Sequence, residues 1–449
     1  MSTPTYFQKY LKQGSLFFFA VIASCAVFAQ CPTSFGIYYW GGQLNGVDSA
    51  HIIPTAKKLA DSLGVKTIRL ALISNDDQVY KKGGPCLTGM NLTAIASRPD
   101  FNAIITDPQF STVIITAYDW TSFGDCNTQN FLDSTFYTPS NTAAIELEYT
   151  NLANYLKQFT SKKFIISNWE GDNAVYCGAA YYYPNCATAP AGLVGFRKWM
   201  MARAAGINAA GAANVKVGIE FCNIHSLEAA GKPSVLDNVI PGVYSDYYLY
   251  SSYESINVSA IQMSKDIDFI RNKLAGFGKD SSMLMIGEMG FGRSNWGNAA
   301  APDSLQGIIN VVKQKRIPYA IAWVLIDSPT NFGAFDSTQV ITSLGTIIKN
   351  SACQTAPTGI ESFKKTLSMQ LAPNPGKENV ELLFSEPLDQ EALIEIRSVS
   401  GQLVYTEYPK STGEKSRLLT LKNIPSGMYF VRVILTDGSE STLKMIVSP

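Results

Sequence analysis

The chain predicts an α/β protein: a (β/α)8 TIM barrel followed by a small antiparallel β-sandwich. Two observations carry this. From residue 35 to residue 350, short apolar runs alternate with longer amphipathic stretches eight times, and near-continuous apolar strands separated by helices signal a parallel sheet covered by helices. After Cys353 the texture changes to short alternating strands with turn residues between them, the pattern of an antiparallel sandwich. The 449-residue length also exceeds what one core usually supports.

Taken in order, residues 1–29 carry Lys9 and Lys12, an apolar run from Leu16 to Phe28 and the small-residue ending Val27-Phe28-Ala29. This reads as a secretory signal peptide cleaved near Ala29, too short and wrongly flanked for a stable membrane span. Ile22-Ala23-Ser24-Cys25 also loosely fits a lipoprotein acylation site, which stays open as an alternative. The barrel is expected over 31–353, with strands at 35–40, 67–73, 112–119, 163–169, 215–223, 246–253, 283–288 and 319–326 and helical patterns such as 50–63 and 260–275. Residues 354–370 read as a linker. The second domain is expected over 371–449, with strands at 380–384, 392–398, 403–407, 416–421, 427–435 and 441–447.

Lys+Arg and Asp+Glu both total 36, so no strong field recruits nucleic acid or an anionic membrane, and neutral sugars remain a suitable partner class. Removing Cys25 with the leader leaves seven cysteines. In an exported chain the expected pairs are Cys177–Cys186, Cys86–Cys126 and Cys31–Cys353, with Cys222, inside an apolar strand, a buried free thiol. No CxxC occurs and only His51 and His225 offer imidazole, so neither a metal nor another cofactor is expected.

The tail resembles the C-terminal sorting domain of the type IX secretion system. The matching features are Ala372-Pro-Asn-Pro375, Ile396-Arg-Ser-Val-Ser-Gly-Gln402, Ser426-Gly-Met-Tyr-Phe-Val-Arg-Val433 and Leu443-Lys-Met-Ile-Val447, in order and with compatible spacing. The resemblance implies export through type IX machinery to the cell surface or the medium, and no chemistry in this domain.

In a (β/α)8 barrel the functional face lies at the C-terminal ends of the strands. Glu170 ends the fourth strand and Glu288 the seventh, so the two carboxylates face one mouth. Gly287 and Gly290 beside Glu288 would let a strand residue project without crowding. Trp169 would supply an apolar wall that raises the Glu170 pKa, and Asp172 is a candidate tuning charge or loop cap. Five of the six tryptophans, Trp40, Trp120, Trp169, Trp296 and Trp323, fall at or after predicted strand ends, with Tyr38, Tyr118, Tyr253 and Tyr181-Tyr182-Tyr183 extending the belt. Sugar rings offer apolar C–H faces to such planes. Asp119, Asn168, Asn223, His225 and Glu254 are candidate hydroxyl binders. Glu220 lies earlier in strand five, its direction open.

Residues 35–350 also resemble the glycoside hydrolases of clan A. The resemblance implies that Glu170 is the acid/base, Glu288 the nucleophile, and Arg69 on strand two a residue that orients and charge-stabilises Glu288; an ordinary barrel ion pair is the alternative for Arg69. Clan members place Asn directly before the acid/base, where this chain has Trp169, with Asn168 one residue earlier. Adjacent strand residues point to opposite faces, so Asn168 does not simply inherit that role. The expectation is a retaining hydrolase of β-linked polysaccharide, with an inactive surface glycan-binding barrel as the alternative. An aldolase- or isomerase-type phosphate-site barrel is disfavoured, because Trp323-Val-Leu-Ile-Asp327 continues apolar where a phosphate loop belongs.

Overall fold

The structure is a computed structural model that describes residues 33–352, excluding 42–43, 49, 75–79, 81–85, 125–129, 293–299 and 328–331, and residues 368–448, excluding 389–391, 400–402, 410–412 and 436–439. The expected signal peptide, Cys25, Trp296, most of the linker and the cysteines at 31, 126 and 353 lie outside the described residues.

Eight parallel strands close into a barrel, in chain order: β1 (Ser34–Tyr39), β2 (Thr67–Leu72), β3 (Thr112–Ala117), β4 (Lys163–Ser167), β5 (Val215–Phe221), β6 (Tyr247–Ser251), β7 (Leu284–Met289) and β8 (Tyr319–Ala322). Every residue of β2, β3, β6, β7 and β8 is buried, as both-face coverage of a parallel sheet requires. Several strands end before the apolar run that predicted them. β8 stops at Ala322, although Leu325 and Ile326 are buried; the apolar character past the ladder belongs to loop residues folded over the barrel end.

Long helices cover the sheet, including Ile52–Ser62, Pro139–Leu156, Ala189–Ala209, Ala260–Gly276 and Ala300–Gln314. Their starts follow local chemistry. Thr138 accepts from the Asn141 N–H and Ser259 from the Gln262 N–H, each satisfying an otherwise orphaned first-turn donor.

Beyond residue 368 two antiparallel sheets face each other. One has the order β13–β10–β9 and the other β12–β11–β14–β15, where β9 is Met369–Ala372, β10 Asn379–Leu388, β11 Ala392–Ser398, β12 Leu403–Glu407, β13 Glu414–Thr420, β14 Gly427–Leu435 and β15 Glu440–Val447. Val380, Leu382 and Leu419 of the first sheet share a buried core with Ile394, Ile396, Val431 and Met445 of the second. β9 was not expected as a strand: it has four residues and runs straight into Pro373. Asn374, between two prolines, works as a strand partner, its Nδ2 donating to the Lys444 carbonyl at 2.8 Å and its Oδ1 accepting from the Ile446 N–H at 2.9 Å.

Cys177 and Cys186 are bonded, and Cys222 is a buried free thiol, both as expected. Cys86 is disulfide-bonded too; its expected partner, Cys126, lies outside the described residues. Among the described residues no helix is long and apolar enough to cross a membrane, and no cluster of three or more His, Cys, Asp and Glu side chains is arranged to hold a metal ion.

Candidate active site

A buried ion pair organises the C-terminal end of the barrel. Arg69 on β2 and Glu220 on β5 are both fully buried and meet through two parallel bonds, Nη1 to Oε1 at 2.6 Å and Nη2 to Oε2 at 2.7 Å. The bidentate fork suits guanidinium and carboxylate geometry. The other Arg69 donors reach Thr116 Oγ1 on β3 and the carbonyls of Asn168 and Gly287, and the guanidinium carbon lies 4.3 Å from the centre of the Tyr38 ring on β1. One side chain thus ties together the ends of five strands and the segment that follows β4. Glu220 spans further by accepting from the Glu170 N–H at 3.0 Å.

Glu288 reaches the mouth through a bulge. Tyr250 pairs with Ile286 but Ser251 pairs with Glu288, so β7 carries one extra residue, Gly287, at this point. Such bulges re-aim a side chain beside a site. The glycine is required for a different reason from the expected backbone freedom: a Cβ at 287 would collide with Glu220 Oε1. Glu288 Oε1 sits 3.6 Å from Arg69 Nη1, and Oε2 accepts from the Tyr253 hydroxyl at 3.5 Å. Oε1 itself has no hydrogen-bond partner. Burial first, and then the charges of Glu220 and Glu170, push the Glu288 carboxyl well above the usual range, while Arg69 and Tyr253 pull it down.

Glu170 lies on the bend after β4 at φ 26°, in the left-handed region that L residues seldom occupy. Holding it there costs on the order of 1 kcal/mol, a strain that collects at functional sites. Its Oε1 accepts from Ser251 Oγ at 2.6 Å and its Oε2 from Asn173 Nδ2 at 2.5 Å. Burial outweighs these two donors and pushes the carboxyl up to about 7.

Glu170 and Glu288 line one cavity of about 1060 Å³, whose walls include Trp40, Trp169, Trp323, Tyr253, Asn223 and Phe332. Tyr181 and Tyr182 stand on its rim, largely exposed. A second cavity of about 450 Å³ shares Trp40 and Trp169 as walls. Tyr38 braces Trp40 and Trp323 edge-on, with ring centres 5.7 and 5.1 Å away. The Tyr118 hydroxyl accepts from the Trp169 N–H at 3.0 Å.

Three residues expected at the site turn away from it. Asp119 is fully buried, capping the turn at Ser122 and accepting from Trp199 Nε1 at 2.7 Å. Asn168 spends its amide on β5, donating to the Glu220 carbonyl at 2.9 Å and accepting from the Glu220 N–H at 3.0 Å. Trp120 opens the short helix after β3, with its N–H on Glu148, and is on the wall of neither cavity. Glu254 lines the main cavity, but its carboxylate accepts three backbone N–H groups at 224–226, and His225 pairs with Asp266. Asp172 is a staple, accepting from the Cys222 and Val235 N–H groups, and burial pushes it up to about 6.

Sequence reasoning left out Glu220, Ser251 and Asn173. The signal for Glu220 was present: Thr67-Ile-Arg-Leu-Ala-Leu72 and Val215-Lys-Val-Gly-Ile-Glu-Phe221 are apolar strands, the first carrying the single charge Arg69 and the second, beyond Lys216 at its start, the opposite charge Glu220 near its end. A charge buried in such a strand needs a partner. Asn173 lies three residues after Glu170, neighbouring spacing on a helix.

The fold and site define a barrel protein with a carboxylate-centred, tryptophan-walled cleft. Residues 370–448 match the family described as a secretion system C-terminal sorting domain, so the tail is an export address and the protein is directed through type IX secretion to the cell surface or the extracellular space. No curated protein matches the chain in sequence. Solved structures similar to it include a β-glucuronidase 2 from Bacteroides uniformis (9% identity, TM-score 0.46, covering 93% of this chain and 46% of that one). Others are an endo-β-1,4-mannanase from Thermotoga petrophila (11%, 0.45, 93% and 97%) and a β-glucosidase from Thermotoga maritima (12%, 0.49, 72% and 99%). The chain thus spans less than half of the glucuronidase. These likenesses add nothing beyond the barrel already visible in the strand topology.

Proposed function

We propose that the protein is a glycoside hydrolase that cleaves β-linked polysaccharide with retention of configuration, Glu170 acting as acid/base and Glu288 as nucleophile. The observation that carries this reading is that two buried carboxyls line one aromatic-walled cavity in unlike surroundings. Glu170 takes both of its carboxylate hydrogen bonds from neutral donors, and burial pushes it up to about 7, suited to holding a proton for the leaving oxygen. Glu288 faces the guanidinium of Arg69 and the hydroxyl of Tyr253, groups that favour a negative charge. The Glu170 charge raises the Glu288 carboxyl, so the two are not both ionised at once, and the reading takes as reactive the singly protonated form with the proton on Glu170, which no cation bonds.

In this mechanism Glu170 protonates the glycosidic oxygen while the unpartnered Oε1 of Glu288 attacks the anomeric carbon, giving a glycosyl-enzyme ester. Glu170, now ionised, takes a proton from water, which displaces Glu288 and returns the starting configuration. Trp40, Trp169 and Trp323 present planes to the sugar faces, and the adjoining cavity beyond Trp40 and Trp169 favours an extended chain over a single terminal sugar.

The test is reducing-end release from a panel of plant, algal and fungal β-glycans. The wild type is expected to hydrolyse at least one, and Glu288→Gln to lose at least about a thousandfold in kcat. One observation favours a second reading, a glycan-binding barrel without activity: Trp169 occupies the place of the clan asparagine, and Asn168 is spent on β5. Binding without hydrolysis by the wild type would support it.

A further inference from the structure

The loop after β4 is closed by the Cys177–Cys186 bond, and its first turn wraps around Asn173. The Gly178 N–H donates to the Asn173 carbonyl at 2.8 Å, and the Ala180 N–H donates to the Asn173 side-chain oxygen, also at 2.8 Å. The same oxygen accepts from Asn223 Nδ2 at 3.0 Å. Two donors on Oδ1 fix which end of the amide is oxygen, so Nδ2 has only one way to point, at Glu170 Oε2. The chain reverses tightly here, with Cys177 at φ 54° and Gly178 at φ 90°, and the disulfide joins cysteines at a sequence separation of 9, closing a segment that contains Ala180.

We propose that Asn173 is a positioning residue for Glu170, and that the disulfide-closed loop acts on the site by clamping the Asn173 amide. The proposal rests on the reading of Glu170 as the acid/base. The charged and titratable groups that face Glu170 are Arg69 from β2, Glu220 and Cys222 from β5 and its end, Tyr253 after β6 and Glu288 from β7. None of them donates to Oε2. The two hydrogen bonds to the Glu170 carboxylate come from Ser251 and Asn173, so Asn173 supplies one of the two contacts that select the ionised form and orient it. A donor to the charged form lowers a carboxyl pKa, and removing it raises the pKa.

The test is a carbon-13 NMR titration of the full chain labelled at glutamate Cδ, with the Glu170 signal assigned by its loss in Glu170→Gln. Asn173→Ala is expected to raise the Glu170 midpoint by about one pH unit, the size of one hydrogen bond to a charged group. Asn173→Asp keeps Oδ1 for Ala180 and Asn223, so it spares the fold, and it is expected to raise the midpoint further by adding a like charge. Cys177→Ser/Cys186→Ser is expected to shift the midpoint in the same direction, and to add nothing when combined with Asn173→Ala. The alkaline limb of kcat/KM moves with the midpoint. A midpoint unmoved by both Asn173 variants overturns the proposal, and so does a loop shift that sums with the Asn173→Ala shift. The NMR readout needs no turnover, so failure of the hydrolase reading would be seen separately.

Discussion

Replacing Glu170 by Gln should stabilise the barrel at pH 8 while removing its activity. The Glu170 carboxyl is held at about 7 by burial, against an ordinary value of 4.5. A raised folded-state pKa means that the folded protein keeps a proton the unfolded chain has released. Stability is then fully present below about 4.5, declines as pH rises, and is lost once the pH passes about 7. A shift of some 2.5 units corresponds to about 3 kcal/mol. Gln carries no charge and keeps the local bonds, its oxygen accepting from Asn173 and its amide donating to the Ser251 hydroxyl, which can reverse. Urea unfolding of wild type and Glu170→Gln at pH 5 and pH 8 measures the effect. The advantage of Gln should be small at pH 5 and grow to about 3 kcal/mol at pH 8. A difference that is the same at both pH values, to within about 1 kcal/mol, would refute the claim that burial holds a proton on Glu170.

Glu220→Gln strands a fully buried Arg69 with only the more distant Glu288 for countercharge, and a stability loss of about 3–5 kcal/mol is expected by denaturant titration at pH 7. The same variant should lower the titration of both Glu170 and Glu288, since the Glu220 charge raises each; an alkaline limb that stays put or moves up would count against it. Gly287→Ala places a methyl group on Glu220 Oε1, so a loss of about 1–3 kcal/mol is expected, together with reduced kcat as Glu288 shifts; wild-type kcat would contradict the bulge argument. Trp169→Ala removes a wall common to both cavities and should cut kcat/KM on a long polymer about tenfold, the equivalent of ~1.4 kcal/mol of burial. An equal loss on a short aryl glycoside would argue against an extended cleft.

The barrel was legible because its signal is redundant. Eight apolar strands, each too hydrophobic to face water, leave few architectures other than a closed parallel sheet under helices. The strand-end positions of Glu170 and Glu288 followed from the same count. What the pattern does not express is direction: apolar strands buried on both faces give no alternation, so the sequence leaves the direction of Glu220 open and does not reveal that Asn168 and Asp119 turn from the mouth. The bulge at Gly287 and the left-handed turn at Glu170 were equally hidden, since both are set by contacts across the barrel rather than along the chain. The Asn173 clamp depends on a loop folding back on itself, which spacing alone does not reveal. The sorting domain was easier, because its motifs are local.

The measurement that bears most directly on the central claim is the anomeric configuration of the first product released from a β-linked glycan, followed by proton NMR before mutarotation. A Glu170–Glu288 double displacement predicts that the β-anomer appears first. The α-anomer appearing first would contradict the assigned roles, because Glu288 would then be activating water instead of forming the glycosyl-enzyme.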